Sequence, residues 1–164
     1  MVVWMEDFMK RNINILLSVL LFWFTLDITG FSLGGFCLVE SPGLLSVDAA
    51  WLIIFVACSI LFFLKTKQGK YVLSIFLIAW GIIQYFSHWN YTIIGATERK
   101  LSGYNNYFAN TYHVIPASDR ILIPDLYHII LHILITLLLV FVLVYIFKQR
   151  SEKVVSSKGS SFRH

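Results

Sequence analysis

Charged residues are scarce in this chain. Asp, Glu, Lys and Arg make up 13% of its 164 residues, whereas hydrophobic types make up 58%. A soluble domain usually carries about 25% charged residues. This scarcity, with a mean hydropathy of +0.75, predicts an integral membrane protein. The net charge of +4 does not indicate nucleic-acid binding, because in membrane proteins the placement of charge matters more than its sum.

Cysteine is also scarce, and familiar catalytic motifs are missing. Cys37 and Cys58 are the only cysteines, they have no CxxC spacing, and each lies in or near an apolar segment. Such cysteines are mostly small buried hydrophobes. The sequence contains no nucleotide-binding loop, no GxSxG and no HExxH. These absences argue against a thiol oxidoreductase and against the enzyme classes that those motifs define.

What the chain does have is four long apolar segments, at residues 13–39, 49–64, 71–89 and 125–147. A membrane-spanning helix needs about 20 residues. We therefore predict an all-α polytopic membrane protein, with a single four-transmembrane-helix bundle over residues 1–148. The first segment is long and can break near Gly30, Gly34 and Gly35. The polar residues 149–164 predict a flexible cytoplasmic tail.

The basic residues predict the orientation of the bundle. Ten of the thirteen lie before the first segment, between the second and third, or after the fourth, whereas Glu40 and Asp48 follow the first segment without a base. The positive-inside rule then places both termini in the cytoplasm. A bacterial plasma membrane is the expected location.

The long connection at residues 90–124 is expected to be a structured extracytoplasmic loop. It is rich in aromatic residues and asparagine and has little net charge, which is not the composition of a disordered segment. Loops of this length are often functional. We expect Tyr104, Asn106 and Asn110 to contact the polar part of a substrate.

The fourth segment opens with "DLYHIILH", which puts three polar side chains on one helical stripe. At about 100° per residue, Asp125, His128 and His132 fall within roughly 60° of one another. Ionisable groups inside a bilayer cost about 2.5–3.5 kcal/mol each and usually mark a site. We therefore expect His128 and His132 to be catalytic or metal-binding, with Asp125 orienting His128.

Three neighbouring segments can bring further polar groups to the same depth. Gln84 and His88 share a face at the outer end of the third segment, and Asp27 reaches a similar level in the first. The long loop contributes His113. We expect His88 and Asp27 to join the catalytic group and Gln84 to bind substrate.

Each of these residues also has a structural interpretation. His88 can be interfacial, His113 a surface residue and Asp125 a helix cap. Asp27 can bond across the bundle, and His128 with His132 can form structural hydrogen bonds.

Two kinds of site fit the cluster. His88, His113, His128 and His132 can hold Zn, Fe or Cu, or a haem can lie between histidines of the third and fourth helices. The site can also be free of metal and cofactor, with a His–Asp pair as general base.

The leading hypothesis is a small membrane enzyme that acts on a lipid, a lipid-linked molecule or a quinone at the outer leaflet. The alternative is a non-catalytic tetraspan accessory, immunity or assembly subunit whose polar stripe binds a partner helix. The expected partners are thus membrane lipid, and a second membrane protein or a homo-oligomer, with no nucleic acid. A stripe turned into the bundle would favour the enzyme.

Overall fold

The computed structural model describes the backbone of residues 2–161 and the side chains of residues 6–151. Its elements in chain order are α1 (Val2–Thr29), β1 (Phe31–Leu33), β2 (Phe36–Val39), α2 (Val47–Leu64), α3 (Thr66–Gln84), a π-helical turn (Tyr85–Trp89), α4 (Asn90–Ile93), α5 (Glu98–Tyr107) and α6 (Leu126–Ser161). Four helices are long and apolar enough to cross a membrane: α1, α2, α3 with its continuation to Ile93, and α6. The predicted set of four spanning helices is confirmed at this level.

The first apolar segment is helical only to Thr29, rather than through residue 39 as the sequence predicted. Helix α1 ends at Thr29, and β1 and β2 pair as an antiparallel hairpin. Gly30 has φ of 69° and Gly34 has φ of 60°, a left-handed conformation that glycine adopts without steric cost. Gly30 ends the helix and Gly34 turns the hairpin.

Two spanning helices are longer than predicted. Helix α1 begins at Val2 rather than at residue 13, and α6 continues from residue 147 to Ser161. The α6 extension contains Lys, Gln, Arg and Glu, which are good helix formers. It runs into the segment that was predicted to be a flexible tail. Residues 162–164, including His164, lie outside the described residues.

The helices pack as a four-membered bundle in which α1 contacts α2 and α6, and α3 contacts the same two helices. The core between them is apolar and includes Leu17, Phe55 and Leu138, all fully buried. The outer faces carry exposed large hydrophobic residues, such as Phe22 and Ile53, which are 66% and 71% exposed. A bilayer would cover this surface.

The bundle has two chemically different ends. The network end contains the start of α1, the α2–α3 turn and the end of α6. There the carboxylate of Glu6 accepts hydrogen bonds from the Tyr145 hydroxyl and the Gln149 amide, and Lys70 donates to Gln149 Oε1. The turn is tight, because a Cβ on Gly69 would lie 2.4 Å from Phe62 Cα.

The cap end is covered by the hairpin and by residues 94–125. Helix α5 and the following loop form a small core of Leu101, Tyr104 and Leu122. The backbone amide of Tyr112 donates to the Cys37 carbonyl at 2.7 Å, which ties the loop to the hairpin. The loop therefore packs over the starts of α2 and α6 and is attached to the hairpin.

Candidate functional site

The first turn of α6 is built around the carboxylate of Asp125. Its Oδ1 accepts the backbone amide of His128 at 2.9 Å and lies 2.6 Å from His128 Nδ1. Asp125 therefore caps the helix and orients a histidine with the same oxygen. The Asp125 side chain is fully buried, and that of His128 is 12% exposed.

The contacts of Asp125 also keep it ionised. Burial raises the pKa of Asp125, but the hydrogen bonds and charge of His128 outweigh burial, so its pKa lies below the ordinary value. Thr111 contributes in the same direction, although its hydroxyl donates to the Phe108 carbonyl. Asp125 Oδ2 has no hydrogen-bond partner within the described part of the chain.

An ionised carboxylate only accepts, so Nδ1 of His128 carries a proton. In neutral His128 the lone pair is then on Nε2. Among the contacts of the described residues, none is a hydrogen bond to this nitrogen. His128 thus has one anchored nitrogen and one that is free to accept a proton.

His132, one turn further along α6, has the opposite arrangement. The indole Nε1 of Trp89 donates to His132 Nδ1 at 2.7 Å, and His132 Nε2 lies 2.9 Å from Gln84 Oε1. An indole N–H is only a donor, so Nδ1 is unprotonated and Nε2–H donates to Gln84. Both nitrogens of His132 are therefore hydrogen-bonded.

His88 packs between these two histidines. Its ring centroid lies 4.6 Å from that of His128 and 5.2 Å from that of His132. Its Nδ1 lies 3.1 Å from the Tyr104 hydroxyl. Burial raises the pKa of Tyr104, so the hydroxyl stays protonated. The cap therefore reaches the histidine cluster through Tyr104.

A cavity of about 60 Å³ lies beside His128. Asp27 and Gln84 line it, as do two acids from the hairpin side, Glu40 and Asp48. Asp27 is only 8% exposed, and its carboxylate has no hydrogen bond to any described residue. The polar stripe of α6 thus faces into the bundle, toward Gln84, His88 and Asp27.

Three of the residues expected at the site lie away from it. His113 donates from Nδ1 to the Thr111 carbonyl at 2.9 Å and contacts none of the other described histidines. Asn106 is exposed and reaches only Ser102. Asn110 donates to Glu40 Oε1 at 2.8 Å and so touches the cavity only through that acid.

Among the described residues, the donor atoms are not grouped as a metal centre would require. Within the described residues, no group of three His, Cys, Asp or Glu side chains could hold a metal ion. Both nitrogens of His132 are engaged, and the ring of His88 packs against the rings of His128 and His132. The metal ion or haem stays a prediction.

Sequence reasoning missed the role of Trp89 and of the acids Glu40 and Asp48. Trp89 ends the π-helical turn Tyr85–Trp89, whose altered register aims its indole at His132. No periodicity in the sequence signals such a turn. Glu40 and Asp48 had a visible signal, since they are the charges of a loop without basic residues.

Comparisons of this chain with protein-family models, with curated proteins and with solved structures found no match.

Proposed function

We propose that this protein is a small membrane enzyme in which His128 acts as a general base, held in place by Asp125. The observation that carries the proposal is the asymmetry of His128: Nδ1 is fixed 2.6 Å from Asp125 Oδ1, while Nε2 has no partner among the described residues. A buried carboxylate that holds the tautomer and orientation of a histidine is the arrangement used in acyl-transfer enzymes.

The proposed step is attack of a hydroxyl on a lipid ester. His128 Nε2 takes a proton from water or from an acceptor alcohol, while the oxygen of that water or alcohol bonds to the ester carbonyl carbon. The resulting imidazolium is stabilised by Asp125. It then returns the proton to the departing alkoxide as the ester C–O bond breaks, which leaves His128 neutral again.

A lipid substrate is supported by the surroundings of the site. Two grooves of about 220 and 370 Å³ lie next to the cluster. They share Trp89, His132 and Thr136, and the larger one is walled by Ile133 and Leu137 of α6. Apolar grooves on a membrane-facing side suit acyl chains, with the ester near His128.

The basic residues support the orientation that places the cap end outside the cytoplasm. The enzyme would then act on the outer leaflet of a bacterial plasma membrane, with both termini cytoplasmic. The inward direction of the polar stripe removes the main argument for the alternative, a subunit whose stripe binds a partner helix.

The test is activity on ester-bearing lipids, with matched histidine variants. Wild type, His128→Gln and His132→Gln would be purified in detergent and offered phospholipid, lysophospholipid and diacylglycerol, with and without an acceptor alcohol. We expect His128→Gln to lower kcat by roughly 10²–10⁴. His132→Gln, which can still bond to Trp89 and Gln84, should keep most of the activity. Equal losses in both variants would contradict the assignment of His128 as the base.

A further inference from the structure

We propose that the cavity beside His128 binds a small primary ammonium group. Three carboxylate-bearing residues converge on it from three elements: Asp27 from the end of α1, Glu40 after β2 and Asp48 in the first turn of α2. None of the described residues that line the cavity is Lys or Arg. His128 is the only lining residue that can carry a positive charge.

Asp27 is the independent observation that a ligand is missing from this cavity. The residue is more than nine-tenths buried and lines the cavity. It has neither a hydrogen bond nor an ion pair to any described residue. Burying a charge without a partner is costly, so this carboxylate is suited to a cation that comes from outside the chain.

The geometry selects an organic cation over a metal ion. The described carboxylates and histidines form no group of three that could hold a metal, whereas the three N–H donors of an ammonium group suit carboxylate acceptors. Phe24 and Tyr127 add aromatic rings to the lining, and aromatic faces attract cations.

Hydrogen-bond donors distinguish primary from quaternary amines at this cavity. One water needs about 10–15 Å³, and the cavity has a volume of about 60 Å³. The space therefore holds a few heavy atoms, such as the end of an ethanolamine group. A trimethylammonium group has no N–H to donate to Asp27, Glu40 or Asp48.

This inference names the substrate class and so rests on the proposed function. Binding of the ammonium group can nevertheless be measured without any catalytic turnover. The probes are phosphatidylethanolamine, its N-methyl and N,N-dimethyl derivatives, and phosphatidylcholine with the same acyl chains, added to the full-length protein in detergent. Native mass spectrometry gives the apparent Kd of each lipid. We expect affinity to fall at each methylation, and phosphatidylethanolamine to bind at least about tenfold tighter than phosphatidylcholine.

Variants of the acidic residues test which side chains produce the preference for phosphatidylethanolamine over phosphatidylcholine. Asp27→Asn and Asp48→Asn should each reduce the preference for phosphatidylethanolamine, whereas Glu98→Gln, which removes an exposed acid of α5, should keep it. Equal binding of the two lipids by wild type would overturn the proposal. Selectivity that survives in both Asp27→Asn and Asp48→Asn would also overturn it.

A competition experiment with a soluble amine shows whether the ammonium group belongs to a lipid headgroup or to a free amine. Displacement of phosphatidylethanolamine by free ethanolamine would support an ammonium site that accepts soluble amines. Displacement by unlabelled lipid alone would support a site for the lipid headgroup. If His128→Gln had full activity but the selectivity remained, the proposed base would fail and the ammonium site would stand. If activity were lost in His128→Gln but wild type bound both lipids equally, only the ammonium site would be refuted.

Discussion

The two ends of the bundle use buried polar groups in different ways. At the network end, Glu6 receives two hydrogen bonds, and Gln149 links it to Lys70. At the cap end, Asp27 has no hydrogen bond within the described chain, and His128 uses only one of its nitrogens. A closed network stabilises the packing of helices, whereas unpaired groups at a cavity are available for a ligand. The contrast therefore separates structural polar residues from candidate functional ones.

The largest effect should come from removing the charge that orients His128. Asp125→Asn keeps an oxygen to cap α6 but removes the negative charge that fixes the tautomer of His128 and stabilises its imidazolium, so we expect kcat to fall roughly 10²–10⁴-fold with a small change in stability. Glu6→Gln removes a carboxylate at the network end and should leave kcat unchanged. Steady-state kinetics on the lipid ester cleaved by wild type provide the comparison. A similar kcat for both variants would break the proposed difference between the two ends.

The next effect is on the packing of the network end. Gly69→Ala would place a Cβ 2.4 Å from Phe62 Cα, so α2 and α3 must separate, and we expect destabilisation of about 3 kcal/mol. Gly81→Ala is the matched control, because no atom lies within 4 Å of its added Cβ and alanine favours a helix. Thermal unfolding in detergent should show a lower Tm for Gly69→Ala alone. Equal Tm values would show that the α2–α3 turn is looser than described.

A smaller loss of stability is expected when His132, whose two ring nitrogens are both hydrogen-bonded, is replaced. His132→Leu leaves Trp89 Nε1–H and Gln84 Oε1 without their partner, and an unsatisfied buried polar group costs about 1–3 kcal/mol. His132→Gln can satisfy both groups and should restore most of the stability. If the Leu variant were as stable as wild type, His132 would not hold the π-helical turn against α6.

The smallest effect is a dependence of stability on acid pH. The pKa of Asp125 is lowered in the folded protein, so the stability it contributes is present above its unfolded pKa of about 3.9. That stability is lost as the pH falls through the folded value. Below the unfolded pKa of about 3.9, wild type should lose stability more steeply than Asp125→Asn. Parallel curves in pH-jump unfolding would mean that Asp125 is not held ionised by His128.

The sequence predicts the parts of this molecule that depend on periodicity and length. Four apolar segments gave four spanning helices, and helical spacing placed Asp125 next to His128. The hairpin was missed because Phe31–Leu33 and Phe36–Val39 continue an apolar run. Only the conformation of Gly30 and Gly34 distinguishes them from a longer helix.

The division of roles between the histidines could not be predicted. His128 and His132 lie one turn apart on the same stripe of α6, and each lies between two hydrophobic residues in the sequence. Their difference depends on Trp89 and Gln84, whose directions are set by the π-helical turn and by packing between helices. Those are tertiary features, and a single sequence carries no periodic signal for them.

The central claim is that His128 has one ring nitrogen without a hydrogen bond, whereas both ring nitrogens of His132 are hydrogen-bonded. ¹⁵N NMR of the histidine side chains measures this directly. Protein with ¹⁵N-labelled histidine in lipid nanodiscs at pH 8 would be compared with His128→Gln and His132→Gln to assign the signals. We predict opposite neutral tautomers, with the proton on Nδ1 in His128 and on Nε2 in His132. The same tautomer in both residues, or a proton on Nδ1 of His132, would contradict the account.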